Sequence, residues 1–407
     1  MRSLISGLTV SACLALTVLR ADTLPPWTPG TLDIHQIATG LGNSTLIICP
    51  DGTSIMIDAG AGSYRPGLCS PPRPDGSRRP GEWIGRYALR HLRATGRTEI
   101  DYFVATHLHP DHVGDVGNDT PPAPAGTFVL SGITDVAAML PIRTLIDRGF
   151  PDYAYPAPFA APFANNYRAY VAWRRAQGEA CEQLRAGAAD QIVLRHERAG
   201  YPGFVVRNVA ANGSVWTGQG DAARSAVPEP GLLARQDYPD ENMCSLAFRV
   251  SYGRFDYYTG GDLACSTADD TQSWRDVETP VARATGAVEV AVANHHGYFD
   301  AVGPEAVKAL QPRVWVVPAW HVTHPGIAQL ERMLSERLYS GPRDIFITNL
   351  TDAAALLNQR FLPRVNSTSG HVVVRVEPGG ARYRVFVADN RDESDSILAT
   401  FGPYDCR

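Results

Sequence analysis

The pattern of apolar and polar positions predicts a chain that alternates short strands with amphipathic helices. Runs rich in β-branched and aromatic residues, bounded by Gly, Pro, Asn or Asp, are typical of strands. Such runs occupy residues 31–38, 44–50, 54–60, 100–106, 204–216, 244–262, 286–297, 313–325 and 371–389. Three of them contain a turn signal, at Asn212-Gly213, Tyr252-Gly253 and Gly379-Gly380, and are predicted to be hairpins.

Helical spacing of apolar residues predicts helices at 83–95, 165–187 and 326–340, the first of which ends before Gly96. Between the strand at 100–106 and the hairpin at 204–216, Pro- and Ala-rich stretches such as YPAPFAAPF predict a large insertion, about 113–205. The order of strands and helices is that of an α/β protein.

The amino terminus, MRSLISGLTVSACLALTVLRAD, has the pattern of a secretory signal peptide, residues 1–21. We therefore expect a secreted, extracellular protein, with a periplasmic protein or a lipoprotein acylated at Cys13 as the alternatives. The remainder is predicted to be one main domain, 22–350, followed by a β extension, 351–407, packed on the same domain. No other apolar run approaches the ~18 residues that cross a bilayer, so no membrane span is expected.

Composition narrows the class of protein. The 407 residues are 44% hydrophobic and 19% charged, which is enough to form a packed core. The formal net charge is -5, whereas a nucleic-acid-binding protein usually carries a basic surface, so no nucleic-acid partner is expected. A small-molecule substrate fits better, and the sequence leaves the oligomeric state open.

Six cysteines follow the signal peptide, and an even number in an exported chain predicts disulfide bonds. Cys244 and Cys265 flank a predicted hairpin, which makes them the first expected pair, and Cys49 with Cys69 is the next. Asn-x-Ser/Thr sequons predict a glycoprotein, at Asn43, Asn118, Asn212, Asn349 and Asn366.

The densest chemistry lies in THLHPDH, residues 106–112, directly after a predicted strand. His107, His109, Asp111 and His112 are all capable of binding a metal, and burying four such groups without a cation would be costly. Two further predicted strands lead to Asp262 and to the pair His295–His296. Isolated histidines, by contrast, are usually solvated or hydrogen-bonded structural residues, which is our interpretation of His35, His91 and His196.

These motifs resemble the metallo-β-lactamase superfamily. THLHPDH matches its HxHxDH motif, while SIMIDAG, YYTGGDL and VANHHG resemble other elements in the same order. The likeness is closest to the lactamase-like domains of bacterial DNA-uptake proteins and to secreted phosphorylcholine esterases, which share a TGD followed by HHG. The resemblance covers about residues 31–330. It implies an αββα sandwich with metals bound at one edge.

The resemblance also implies roles for the residues. His107 and His109 would bind a first metal, Asp111 and His112 a second, and Asp262 would bridge the two. His295 or His296 would complete the second site. Asp58 would be the carboxylate behind the metal that orients a ligand histidine. Two Zn²⁺ ions are expected, with Mn²⁺ or Fe²⁺ as alternatives.

One departure from the family pattern leaves the first site in question. Many members supply a third histidine between HxHxDH and the bridging Asp, but here that interval holds only His196. The missing ligand could instead come from the paired histidines. Whether the site holds one ion or two therefore stays open.

The expected activity is hydrolysis by a metal-activated water, steered by Asp111, with His324 binding or protonating the leaving oxygen. The superfamily's oxygen-reducing diiron branch usually has Glu at the position of His109, which favours hydrolysis. Tyr298 and His321 are expected to contact the substrate. The likeness to phosphorylcholine esterases favours a phosphodiester or phosphate ester. A carboxylic ester, lactone or lactam is the alternative, and a non-catalytic secreted binding protein is the alternative of another class.

The insertion leaves directly from residues 106–112, the predicted metal-binding loop, so it is expected to begin beside the site. Its residues 150–163 carry five aromatic side chains among Pro and Ala, namely Phe150, Tyr153, Tyr155, Phe159 and Phe163. That density is unusual for a solvated linker. We expect an ordered lid that selects apolar parts of the substrate, against the alternative that these rings only cover the domain's own surface.

Overall fold

A computed structural model describes residues 22–265 and 272–407. The predicted signal peptide, 1–21, lies outside the described residues. Among the described residues, no helix combines the length and the apolar character needed to span a bilayer.

Strands dominate the described chain. Their bounds are β1 (Leu32–Gln36), β2 (Thr45–Ile48), β3 (Ser54–Ile57), β4 (Ile100–Val104), β5 (Ile142–Asp147), β6 (Ala180–Gln183), β7 (Phe204–Ala211), β8 (Ser214–Trp216), β9 (Ala223–Ser225), β10 (Ala247–Tyr252), β11 (Phe255–Thr259), β12 (Val290–Val292), β13 (Val314–Val317), β14 (Asp344–Ile347), β15 (His371–Val376), β16 (Arg382–Ala388) and β17 (Ile397–Asp405).

The helices alternate with these strands. Their bounds are α1 (Pro80–Leu92), α2 (Pro110–Val113), α3 (Ile133–Met139), α4 (Pro162–Ala176), α5 (Glu278–Thr285), α6 (Pro304–Leu310), α7 (Ile327–Met333) and α8 (Asp352–Leu357).

The strands form two large mixed sheets. One has nine strands in the order β17-β16-β15-β1-β2-β3-β4-β5-β6, and the other has eight in the order β14-β13-β12-β11-β10-β7-β8-β9. Side chains of both sheets meet in one core between them. Separate apolar clusters join α1, α3 and α4 to the outer face of the first sheet, and α5, α6 and α7 to the outer face of the second. This mixed α/β architecture confirms the predicted αββα sandwich.

Alternation along each strand explains why the chain forms two layers of helices around two sheets. In β12, Val290 and Val292 face the core between the sheets, while Ala291 packs against the helices. In β13, Val316 faces the other sheet and Trp315 faces the helices in the same way. Strands buried on both faces are typically continuous apolar runs, as these are.

The three predicted hairpins form as β7–β8, β10–β11 and β15–β16. Two helices are shorter than predicted. The helix expected at 165–187 ends at Ala176, because the chain reverses at Gly178 (φ 77°) and continues as β6 beside β5. The helix expected at 326–340 ends at Met333.

The direction of the strands brings several polar side chains to one edge of the sandwich. β3 and β4 run parallel in one sheet, and β11, β12 and β13 run parallel in the other. Residues at the carboxyl ends of parallel strands collect at one edge of a sheet. Asp58 follows β3, the 106–112 loop follows β4, Asp262 follows β11 and His295–His296 follow β12. The fold therefore delivers these groups to a common edge.

The cysteine prediction is wrong. Within 22–265 and 272–407, all six cysteines carry free thiols. The hairpin strands begin at Ala247 and end at Thr259, short of both cysteines. Cys244 lies in a 3₁₀ turn, while the amide of Cys265 donates to Asp300. The two cysteines therefore leave the hairpin register before they could face each other.

Two of the five predicted glycosylation sites are also corrected. Asn43 and Asn349 are only 5% and 6% exposed, and their amide groups are hydrogen-bonded inside the fold. A glycan has no room there. Asn118 is exposed, and Asn212 and Asn366 are partly exposed, so glycosylation at these three stays a prediction.

Candidate metal centre

The loop after β4 places two histidines side by side. His107 is fully buried and His109 is partly exposed, and His107 Nε2 lies 3.1 Å from His109 Nδ1. Together with Asp262 they form a group whose ligand atoms lie within 4.8 Å of one another. Such a group is able to hold one metal ion.

A second group lies beside the first. It consists of Asp111, His112, Asp262 and His296, again with ligand atoms within 4.8 Å of one another. His296 Nε2 is 3.0 Å from Asp111 Oδ2, and His112 Nε2 is 3.1 Å from Asp262 Oδ1. Nitrogen and carboxylate oxygen in a set of four are the donors and the number that Zn²⁺ takes.

Asp262 stands between the two groups and presents one oxygen to each. Its Oδ2 lies 3.6 Å from His107 Nε2 and 3.7 Å from His295 Nε2. Its Oδ1 faces His112 and lies 3.6 Å from His296 Nε2. The carboxylate is 2% exposed, so it is positioned by the fold rather than by solvent.

The adjacent histidines adopt an unusual backbone. Both have positive φ, 47° for His295 and 55° for His296, which is uncommon outside Gly and Asn. Such strain costs on the order of 1–3 kcal/mol per residue and collects at functional sites. It lets two neighbours in sequence aim at the same carboxylate from different sides, His295 toward Oδ2 and His296 toward Oδ1.

Three of the histidines have their Nδ1 atom held by a fixed hydrogen-bond partner. Asp58 Oδ2 lies 2.7 Å from His112 Nδ1, Asp300 Oδ1 lies 2.7 Å from His295 Nδ1, and the Pro318 carbonyl accepts from His296 Nδ1 at 3.0 Å. In each case Nε2 is left to point toward Asp262. Such partners fix the tautomer and orientation of ligand histidines.

Asp58 itself is tightly held. It is fully buried, and it also accepts from the amide and the hydroxyl of Thr106 at 2.8 Å each. It thus ties the strand end before His107 to the ring of His112. Asp58 is therefore placed to orient His112, the role that the resemblance implies for it.

Gly60 explains how closely the chain approaches the loop. A Cβ at this position would lie 2.0 Å from the carbonyl oxygen of Asp111. Only glycine therefore lets the 58–62 segment pack against the turn that carries Asp111 and His112.

The electrostatics of the cluster follow from burial and mutual charge. Burial alone would raise the pKa of Asp262, but His112, His296, His295 and His107 together hold that pKa well below its ordinary value. Burial and the charge of His112 lower the pKa of His107 far below its usual range. The anionic carboxylate of Asp262 thus sits among several buried imidazoles.

One buried nitrogen atom indicates that this cluster fits a metal ion. His112 Nε2 is buried, and its 3.1 Å approach to Asp262 Oδ1 lacks hydrogen-bond geometry, so this nitrogen has no hydrogen-bond partner, although Nδ1 of the same ring is bonded to Asp58. A buried nitrogen without a partner is costly unless something binds it. A cation between His112, Asp111, Asp262 and His296 would satisfy it.

The residues predicted for the substrate side surround this cluster. His324 is 5% exposed and stacks on His296, with ring centroids 4.8 Å apart. Tyr298 packs edge-on against His295 at 5.0 Å. His321 lies with Asp111 and Arg65 in the wall of a cleft of about 210 Å³. Burial, aided by the charge of His296, lowers the pKa of His324 well below its usual range, so its imidazole is neutral at pH 7.

Two of the five predicted lid aromatics reach the site. Phe159 and Phe163 stand edge-on to His109, with centroids at 6.0 and 6.5 Å. Tyr153 instead belongs to the core and donates to Asp147 at 2.6 Å, while Phe150 packs under Arg175. The aromatic segment therefore combines a short wall over His109 with ordinary core packing.

The remaining histidines lie elsewhere. His196 Nε2 is 3.2 Å from Asp101, near the start of β4, whereas the 106–112 loop follows the end of that strand, roughly 16 Å away at ~3.3 Å per residue. His35 and His91 belong to a separate cluster, in which their tilted rings lie with centroids 4.7 Å apart. The structural interpretation of these three residues agrees with their positions.

Sequence reasoning missed several supporting residues. Asp300, five positions after His295, had only that proximity as a signal. Glu241 and Arg148 form a buried ion pair behind the metal-binding loop, and no motif pointed to either. Such partners come from distant parts of the chain, so spacing does not reveal them.

Part of the chain matches a known superfamily. Residues 38–129 match the family model of the metallo-beta-lactamase superfamily, a range that contains Asp58 and the whole 107–112 motif. The mixed α/β fold with two large sheets is consistent with that superfamily's fold.

The other comparisons add little. No curated protein sequence matches the chain significantly. Among solved structures, a mutant of the β-hydroxylase CmlA aligns with a TM-score of 0.41 and 12% sequence identity over 80% of this chain. The alignment spans about half of that structure, 53% of its length.

Proposed function

We propose that this protein is a metal-dependent hydrolase that binds two zinc ions. The observation that carries the proposal is Asp262, whose two oxygens face two separate groups of histidines at 3.1–3.7 Å. A buried carboxylate shared in this way is suited to bridging a pair of cations. In this assignment His295 supplies the third histidine of the first site, and His296 completes the second.

Zinc bound here would lower the pKa of a coordinated water from 15.7 toward about 7 and so supply a nucleophile at neutral pH. Asp111 lies at the mouth of the site, where its Oδ2 is 3.0 Å from His296 Nε2, and would orient the attacking water. His324 is neutral at pH 7 and stacks on His296, so it lies beside the candidate site, where it would bind the leaving oxygen.

Arg65 supplies one cation to the adjoining cleft, whose wall also holds the carboxylates of Asp111 and Asp115. Arg65 is exposed and lines the cleft beside Asp111 and His321. A phosphodiester or phosphate ester would bring a negative charge to that guanidinium while its phosphorus faces the metals. We therefore favour a phosphate ester over the carboxylic ester, lactone or lactam.

The test begins with metal content. The purified chain should contain about two zinc ions by elemental analysis and should hydrolyse bis-p-nitrophenyl phosphate faster than p-nitrophenyl carboxylic esters or a chromogenic lactam. His109→Ala should lower the zinc content and reduce turnover by orders of magnitude. His196→Ala is the matched control, because His196 lies at the other end of β4, and it should change neither.

Three results would contradict the proposal. Undiminished turnover in a chelator-treated, metal-free sample would exclude metal catalysis. Full zinc content without turnover of any ester or lactam would favour a binding protein. Iron in place of zinc, with oxygen consumption, would favour an oxidase or oxygenase.

The two histidines of the pair can be separated by the same measurement. His295→Ala should lose the ion at His107 and His109, and His296→Ala the ion at Asp111 and His112. Each variant should therefore retain about one ion. Loss of both ions in only one of the two variants would reject the assignment of one histidine to each site.

Secretion belongs to the same proposal. It is supported by the amino-terminal sequence alone, and amino-terminal sequencing of the exported protein tests it, with cleavage after residue 21 as the expected result.

A further inference from the structure

We infer that the buried ion pair of Arg148 and Glu241 positions the metal-binding loop and connects it to the aromatic segment over His109. The inference rests on the proposed metal site. Neither residue is a metal ligand, and both would act through the loop that carries the ligands, as positioning residues.

Glu241 reaches the loop through the peptide group between the two histidines. Its Oε1 accepts from the amide of Leu108 at 2.7 Å. Leu108 lies between His107 and His109, and its own side chain is fully buried in the core. Fixing this amide fixes the peptide plane from which both imidazoles extend, so the orientation of the two rings depends on Glu241.

The same stretch holds the loop a second time. The amide of Leu246 donates to the carbonyl of Thr106 at 3.1 Å. Residues 241–246 thus contact the loop on both sides of His107, once through a carboxylate and once through the backbone. The chain then continues into β10 and β11 and arrives at Asp262, so one segment contacts the loop and leads to the bridging carboxylate.

Arg148 completes the connection. It is 1% exposed, it follows β5, and its Nε donates to Glu241 Oε1 at 2.7 Å while its Nη2 donates to Oε2. Its Nη1 donates to the carbonyl of Tyr155 at 3.0 Å, which lies in the aromatic segment that carries Phe159. One guanidinium therefore binds both the residue that fixes the loop and the backbone of the segment that covers His109.

Stability alone is a poor explanation for this arrangement. Removing a carboxylate and a guanidinium from water is costly, and replacing a buried pair by apolar groups of similar volume is often neutral or stabilising. Here each polar group is used for a specific contact: the carboxylate for the Leu108 amide, and the guanidinium for Tyr155. Hydrogen-bonding partners behind metal ligands typically affect metal affinity by about 10- to 100-fold.

The test compares two buried pairs in the same protein. Glu241→Gln keeps an acceptor for Leu108 but loses the charge that holds Arg148, and Arg148→Met removes the contact with Tyr155. The matched control is Asp33 with Arg375, another two-pronged pair with a buried carboxylate, which joins β1 to β15 away from the metal-binding loop. Its variants are Asp33→Asn and Arg375→Met.

Zinc affinity is measured by competition with a chromophoric chelator, and the Co²⁺-loaded proteins are compared by their visible absorption. Glu241→Gln and Arg148→Met should each weaken binding of one ion by about 10- to 100-fold and alter the Co²⁺ spectrum. Arg148→Lys, which keeps the charge, should recover part of the affinity. The control variants should lower only the unfolding midpoint.

Equal effects of both pairs on zinc affinity, or wild-type affinity and spectrum in folded Glu241→Gln, would overturn the inference. Because these outcomes are judged against a wild-type protein that binds about two ions, they differ from failure of the proposed function, in which the wild type itself binds none.

Discussion

Mild acid should destabilise this protein because two histidines outside the candidate metal centre are buried without charge. His35 is 1% exposed and His371 is 6% exposed, and both pack against Tyr87. Each uses Nδ1 in a hydrogen bond, His35 with the Tyr87 hydroxyl at 3.0 Å and His371 with the Ala38 amide at 3.0 Å. The imidazoles thus act as neutral structural groups.

Burial lowers the pKa of His35 to about 4, with Asp33 opposing the shift and His91 and Arg375 assisting it. Burial lowers the pKa of His371 to about 3, against the opposing charge of Asp395 and with help from Arg90, His91 and His35. In the unfolded chain both return to about 6.5.

The sign follows from proton binding. Below pH 6.5 the unfolded chain takes up protons that the folded protein refuses, so stability is complete above 6.5 and is lost as the pH falls toward 4. Each histidine contributes a slope of about 1.4 kcal/mol per pH unit, and the two together about 2.7 kcal/mol per unit near pH 5.

Urea unfolding at several pH values between 7 and 4.5, with zinc buffered at one free concentration, measures this slope. His35→Asn and His371→Asn keep a polar group near the position of Nδ1 but cannot be protonated. Each should flatten the curve by about 1.4 kcal/mol per unit near pH 5. Tyr87→Phe should lower stability while leaving the slope almost unchanged. Curves parallel to wild type for both histidine variants would refute the reasoning.

Two further predictions concern the site itself. Asp58→Asn should weaken zinc binding by about 10- to 100-fold, because Asp58 orients His112, and chelator competition measures it; an unchanged affinity would exclude that role. Phe159→Ala combined with Phe163→Ala should raise KM for esters with an apolar group while sparing zinc content and turnover of a small ester, whereas Phe150→Ala should change neither. Equal losses on large and small esters would make the two rings structural support.

Patterns that depend on near neighbours in sequence predicted the fold well. The hairpins at Asn212-Gly213, Tyr252-Gly253 and Gly379-Gly380 formed as expected, because turn type is set locally. The ligand groups of 107–112, Asp262 and His295–His296 could be found for a similar reason, since each directly follows a recognisable strand. Strand direction then brought them together.

What the sequence did not reveal depended on distant contacts. β6 was absorbed into a predicted helix because residues 180–183 gain their strand character by pairing with β5. The predicted Cys244–Cys265 disulfide does not form because both cysteines lie beyond the ends of the paired strands. The role of Glu241 could not be predicted because its partner, the Leu108 amide, lies 133 positions away in sequence.

The placement of Asp262 has a consequence for how the molecule comes apart. His107, His109, Asp111 and His112 extend from one sheet, while Asp262, His295 and His296 extend from the other. Ions bound between these two groups would cross-link the two sheets of the sandwich. Bringing the 107–112 loop and Asp262 together closes a long loop of chain, which costs conformational entropy. A bound ion would offset that cost. Separation of the sheets and release of metal would then be one event, and the metal content of a sample would report how much of it is folded.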